Sequence, residues 1–198
     1  SPIASLTPRM PMDRLMPFPV PDHEPQRLQA LRDFRVLDTL PQKMFDDITA
    51  LAAGICGTPM ALISLVDADR QWFKSRLGVD FNETPRDQSF CTHAIKSPDD
   101  VMVIRNATDD DRFRDLQLVR EDSLLFYAGA PIVTASGAAL GTVCVLDNKP
   151  GDLSEQQRRM LQHLANLSVA LIEHERDRAQ QARLTLDQVE RNQQVIRS

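Results

Sequence analysis

No apolar run in this chain approaches the ~20 residues that a membrane-spanning helix needs, and the N-terminus lacks the basic, apolar, small-residue order of a secretion signal. Positive charge is also scarce. With 23 Lys and Arg against 28 Asp and Glu, the net charge is -5, which leaves no broad basic face to neutralise phosphates and argues against nucleic acid as the main partner. Cysteine is limited to Cys56, Cys91 and Cys144, odd in number, widely spaced and set among apolar neighbours. That usage fits reduced thiols in the cytoplasm better than a disulfide framework. No CxxC or Cys–His spacing suited to zinc is present, and aromatic residues make up only 5% of the chain, with a single Trp.

What is present suits one folded domain. The 198 residues, 42% hydrophobic and 26% charged, are enough for a well-buried core with length left over for tails. Residues 1–25 hold seven of the thirteen prolines and three of the seven methionines without apolar periodicity. This N-terminal segment, taken as residues 1–23, is expected to be extended or disordered and free to lie across a partner. From Glu24, Leu28, Leu31 and Phe34 recur at helical spacing until Pro41 stops the pattern. A second helix is expected over about Gln42 to Cys56, with Phe45, Ile48, Leu51, Ala52 and Ile55 on one face and Gly57 ending it.

"MALISLVD" (60–67) reads as a central strand, and "QWFKSRL" (71–77) returns antiparallel after the "DADR" turn. In the second strand Trp72, Lys74 and Arg76 share one face and Phe73, Ser75 and Leu77 the other. Thr84, Pro85 and Asp87 stand in the order of an N-cap, a first-turn proline and a capping acid, which predicts a helix from Pro85 to Lys96. A short strand follows near 101–105, then an acidic turn at 108–113, then a hairpin of 124–133 and 139–147 across "TASGA". From Ser154, an expected N-cap, nothing interrupts one helix to the last residue. Leu161, Leu164, Leu167 and Leu171 are expected to pack on the sheet; Ile172, Ala179, Ala182, Leu186, Val189 and Ile196 form an imperfect heptad seam broken by Glu175 and Gln193. The absence of a stop signal suggests a piece of a longer protein. The element order predicts an α+β fold, an antiparallel sheet with helices mostly on one face and a long C-terminal coiled-coil helix.

The run "FDDITALAAGICGTPMALISLVDADRQWFKSRLG", followed by "ETPRDQSFCTHAI", "FYAGAPI" and "LGTVCVLD", resembles the GAF domain, in the bacterial subgroup found upstream of diguanylate cyclase and histidine kinase modules. The resemblance covers residues 24–176 and leaves 177–198 as a coiled-coil linker to an output domain. It implies a sensory domain whose sheet and covering loops enclose a pocket, and whose flanking helices pair two subunits. Cyclic-nucleotide-binding members carry an Asn-Lys-Xn-Phe-x3-Asp-Glu motif absent here, and "SFCTHAI" lacks the Cys next to His that holds a bilin.

Among candidate residues, a thiol near an imidazole suggests a nucleophile or metal ligands, but Cys91 and His93 lie two apart on a predicted helix and do not face each other. A core thiol and a hydrogen-bonded His account for them better than a dyad. Cys56 and Cys144 read as small buried hydrophobes. Arg76, Arg86 and Arg112 have the fork geometry for an anionic ligand, although Arg86 is expected to pair with Asp87 or Glu83. Trp72, Phe73, Phe90, Phe113, Phe126 and Tyr127 would supply an apolar lining, and "DDD" at 109–111 reads as a solvated turn. The expected ligand-binding set is Trp72, Arg76, Phe90, Cys91, His93, Arg112, Phe113 and Tyr127, with no catalytic residue, no metal and no cofactor identified.

The expectation is thus a cytoplasmic, non-enzymatic regulatory domain that binds an unidentified small molecule. It forms a homodimer through its terminal helices and signals to a C-terminal output domain in cyclic di-GMP or two-component signalling, with no nucleic acid or membrane contact. Two alternatives compete: a purely structural dimerisation module, and a thiol-based redox enzyme related to the free methionine sulfoxide reductases.

Overall fold

The computed structural model describes residues 18–197; of the N-terminal segment, residues 1–17 lie outside the described residues. The chain folds into a six-stranded antiparallel sheet of order β3-β2-β1-β6-β5-β4. Its strands are β1 (Met60–Val66), β2 (Arg70–Leu77), β3 (Glu83–Pro85), β4 (Met102–Ile104), β5 (Phe126–Val133) and β6 (Ala139–Asp147). Both central strands, β1 and β6, are buried almost throughout, as continuous apolar runs require. They approach so closely at Gly141 that a Cβ there would overlap the Ser64 carbonyl.

One face of the sheet is covered by regular helices. These are α1 (Glu24–Asp33), α2 (Lys43–Cys56) and the part of α5 (Glu155–Arg197) up to Ile172. Gly57 ends α2 in the left-handed region, φ 66°, where only glycine is free of Cβ strain. Ser154 and Gln157 cap α5 reciprocally: Gln157 N–H donates to Ser154 Oγ at 3.1 Å and Ser154 N–H to Gln157 Oε1 at 2.8 Å. The α5 stripe on the sheet is Leu161, Leu164, Ala165, Ser168 and Ile172. Leu167 is 55% exposed, because the strict i+3 leucine series drifts off a 3.6-residue face; Ile172, expected in the outer seam, sits in the core instead. Leu51 of α2 likewise faces solvent while Thr49 and Ala53 are buried.

The opposite face is covered by short elements: a 3-10 turn at Arg86–Gln88, α3 (Cys91–Ala94), a second 3-10 turn at Ala107–Asp109 and α4 (Gln117–Arg120). The single helix expected over 85–96 is broken in two. Pro85 pairs with Arg70 in β3, so Thr84 is a strand residue rather than an N-cap and the exposed Asp87 caps nothing. The physical reason is register, since β3 closes the sheet edge before the chain turns. A second departure lies in β2. Ile63 pairs with Ser75 and Ser64 with Phe73, leaving Lys74 as the extra residue of a bulge. The bulge reverses the alternation, so Ser75 hydrogen-bonds Thr49 of α2 on the helical face and Arg76 falls on the opposite face to Trp72.

Candidate functional site

The face covered by short elements gathers thiols, hydroxyls and aromatic rings. Tyr127 of β5 is fully buried, and its hydroxyl donates to Cys91 Sγ of α3 at 3.3 Å. Thr142 of β6 lies 3.2 Å from the same sulfur, and Cys144, two residues along β6, lines the same small cavity as Cys91. Glycine makes this possible: a Cβ at Gly129 would overlap the Tyr127 hydroxyl, so the bare strand position two residues on lets the phenol lie along β5 toward Cys91. The Phe90 ring stacks on Tyr127 at 5.0 Å and meets Phe113 at 5.0 Å, while His93 sets its edge on Phe113 at 4.7 Å. Rings at these separations add attraction beyond the apolar area they bury.

These rings fill most of the chamber. A cavity of about 20 Å³ remains, lined by Leu62, Gln71, Phe90, Cys91, Tyr127 and Cys144 among others, which is room for about one water-sized molecule. Larger clefts lie elsewhere, such as one of about 650 Å³ between the α1–α2 connection and α5.

The electrostatics of the cluster separate its two thiols. Burial raises the Cys91 thiol, but its polar neighbours, with the Tyr127 and Thr142 hydroxyls in contact with the sulfur, outweigh it and hold the group down at about 6. Burial and the neighbouring Cys91 sulfur push Cys144 and Tyr127 well above their ordinary values. His93 is held down to about 4, first by burial and then by the Arg112 cation. Arg112 itself is engaged by Asp110 at 2.8 Å and lies 4.8 Å from the Phe113 ring.

At the end of β1, a buried ion cluster ties the two faces together. Glu24, at the start of α1, receives Arg27 Nε at 2.7 Å and Arg86 Nη1 at 2.6 Å. Arg27 also donates to the carbonyls of Val66 and Ala139, and Arg86 Nε donates to Thr92 of α3 at 2.9 Å. Pairing with both cations lowers the Glu24 carboxyl despite burial, which alone would raise it. Arg86 is 1% exposed, and its Nη2 has no hydrogen-bond partner among the described residues. Phe18 covers its guanidinium at 4.6 Å, and Pro19 accepts from Thr92 at 3.4 Å. The described end of the N-terminal segment therefore lies on its own chain.

Of the eight expected site residues, the structure brings Phe90, Cys91, His93, Phe113 and Tyr127 together, with Arg112 at the rim. Trp72 and Arg76 do not join them. Trp72 packs in the core under the helices, and Arg76 reaches the Val79 carbonyl at 2.7 Å near the surface; the Lys74 bulge separates them. Arg86 pairs with Glu24 rather than Asp87 or Glu83. Sequence reasoning also missed Thr142 and the position of Cys144 on the same cavity as Cys91. Period-two spacing from Tyr127 to Gly129 and from Thr142 to Cys144 was the available signal for a shared face.

A family model described as "GAF domain" matches residues 40–171. Over 156 residues the chain is 42% identical to a cyclic di-GMP phosphodiesterase of Pseudomonas aeruginosa, covering 78% of this chain and 26% of that protein. The chain thus spans about a quarter of the length of that curated relative. Among solved structures, the GAF domain of an Acinetobacter phosphoenolpyruvate-protein phosphotransferase superposes with a TM-score of 0.56 at 16% identity, over 75% of this chain and 94% of that one. A type II free methionine-R-sulfoxide reductase from Thermoplasma acidophilum gives 0.50 at 13%, over 66% and 96%. At such identities these two show the fold alone.

Proposed function

We propose that this chain, which belongs to the GAF domain family, serves as a regulatory input domain that pairs with a second copy through α5 and passes its state to an output module. The observation that carries this reading is the outer part of α5. Leu186 is 61% exposed, Val189 46% and Ile196 84%, and with Ala179, Ala182 and the polar Gln193 they fall at alternating steps of three and four residues. A seam of that period buries itself against an identical helix. The relative's activity suggests cyclic di-GMP turnover as the output, with two-component signalling as the other course. Among the described residues no helix is long and apolar enough to cross a membrane, and three free thiols suit the cytoplasm.

Sedimentation equilibrium tests the pairing. The chain is expected to be a dimer at tens of micromolar, and the double change Leu186→Glu, Val189→Glu to be monomeric with an unchanged melting profile. A wild-type monomer at high concentration overturns the reading.

A second reading has its own support. A chamber with room for about one water suits a dimerisation module plugged by Phe90, Tyr127 and Phe113. Native mass spectrometry of protein taken directly from cells separates the two: a co-purifying small molecule excludes the plugged module, and its absence, with no stabilisation by a metabolite panel, excludes a resident ligand.

A further inference from the structure

Two reduced thiols from distant parts of the chain meet in the interior, and neither packing nor the regulatory reading explains why they carry so many polar neighbours. Cys91 is on α3, in the covering layer, and Cys144 is in the middle of β6, opposite Leu62 of β1 and Gly129 of β5. Cys144 neighbours Cys91 across the same small cavity, and the Thr142 and Tyr127 hydroxyls approach the Cys91 sulfur at 3.2 and 3.3 Å. A purely structural cysteine gains nothing from two hydroxyl groups, since an apolar residue of similar size fills the space without their desolvation. Hydroxyl groups free to turn their protons toward one sulfur are what stabilises a thiolate.

Both sulfurs also border the cavity of about 20 Å³. Its size limits any reagent to something scarcely larger than water. The third cysteine supplies a contrast within the same molecule: Cys56 is half-buried at the end of α2, and burial pushes its thiol up to about 11.

We propose that Cys91 and Cys144 are a peroxide-responsive dithiol, with Cys91 the attacking sulfur and Cys144 the resolving one. In the first step the Cys91 thiolate attacks one peroxide oxygen. The S–O bond forms, the O–O bond breaks, and the leaving hydroxide takes up a proton to become water. In the second step the Cys144 sulfur attacks Cys91 Sγ. The S–S bond forms, the S–O bond breaks, and the departing hydroxide leaves as water with the Cys144 proton. Two thiols are oxidised by two electrons in all, and one peroxide is reduced to two waters. A dithiol reductant reverses the change.

The consequence for signalling rests on the regulatory reading, whereas the chemistry does not. In the reduced state α3 is held to the sheet by weak thiol and hydroxyl hydrogen bonds, and through Thr92 it holds Arg86 and so Glu24 of α1. A disulfide staples α3 to β6 and fixes that chain of contacts in one arrangement, the kind of two-state element that biases an output.

The test is peroxide titration of the full 198-residue chain, followed by unfolding, alkylation and peptide mass spectrometry. The expected result is a Cys91–Cys144 linked peptide that dithiothreitol removes, forming at least about tenfold faster than any oxidation of Cys56, given the difference in thiolate fraction. With Cys144→Ser the reaction stops at a sulfenic acid on Cys91 that dimedone traps, and with Cys91→Ser residue 144 stays reduced. Both sulfurs remaining alkylatable while Cys56 is consumed overturns the proposal, as does oxidation without the link in the wild type, which needs no variant to fold. A linked peptide in a chain that sediments as a monomer leaves the dithiol standing and removes the regulatory reading; a dimer with unreactive thiols does the reverse.

Discussion

The two faces of the sheet are built in different ways. Under α1, α2 and α5 the core is mainly aliphatic, with Leu31, Ile48, Ile63, Leu65, Leu161 and Ile172 all nearly or fully buried around Phe45, Trp72 and Phe126. Regular helices satisfy their own backbone there, so side chains need only fill space. Under α3 and α4 the covering elements are four residues each, too short to hold themselves. They are fixed instead by side-chain hydrogen bonds, ring contacts and ion pairs. The first arrangement resists change; the second is assembled from interactions that protonation or oxidation can alter, as a sensor requires.

The largest test of this contrast is the joint between the faces. Replacing Glu24 with Ala leaves two buried guanidinium groups without a counter-charge, and removing one partner of a buried pair typically costs ~3–5 kcal/mol. Denaturant unfolding should register a loss of that order. Native-state hydrogen exchange should also show which face it reaches, with amides of 91–97 opening at lower free energy while those of α2 keep their protection. Equal loss on both faces would break the contrast.

A smaller effect is expected inside the polar face. Gly129→Ala places a methyl where the Tyr127 hydroxyl lies, an overpacking that costs ~1–3 kcal/mol. It also withdraws one donor from Cys91, so the thiolate absorbance of that residue should appear at higher pH than in the wild type. An unchanged titration would show that the phenol does not contribute to holding the thiol down.

The same contrast explains what was legible in the sequence. The helices of the aliphatic face and the two hairpins were readable because their apolar periods, caps and turns are local signals: Gly57 after α2, Ser154 before α5, and "TASGA", closed by Thr134 and Ala138 at 2.9 Å. The polar face was readable only in part. Phe90, Cys91, His93, Phe113 and Tyr127 were expected to line one chamber, and they do meet. The break between β3 and α3 was hidden because Thr84, Pro85 and Asp87 imitate a helix start, and pairing with β2 overrides that preference. The Lys74 bulge is set by pairing with β1, which no local pattern in 71–77 reveals, so Trp72 and Arg76 were placed together. Glu24 and Arg86 are 62 residues apart in sequence; nothing in the spacing of charges announces their union.

The smallest effect is in pH. His93 is held down to about 4, below its ordinary value near 6.5, by burial and by Arg112, with Lys96 adding to the effect and Asp110 opposing it. Between those two pH values the unfolded chain binds a proton on the imidazole and the native chain does not, so stability falls as pH drops through that window. Glu24 and Asp110, whose carboxyls lie below their ordinary range, lose their stabilising contributions in the same direction as pH falls. A direct melting scan mixes these with the other lowered carboxyls, Asp38 and Asp152, and the informative quantity is the difference between the wild type and His93→Gln. The imidazole is only partly buried and partly screened by water, so that difference between pH 6.5 and 4.5 should be on the order of 1 kcal/mol, or ~2–4 °C in the midpoint for a chain of this size. The wild type should lose more than the variant. If the two melting curves shift in parallel, His93 is already solvated, and the ring contact with Phe113 does not close that end of the polar face.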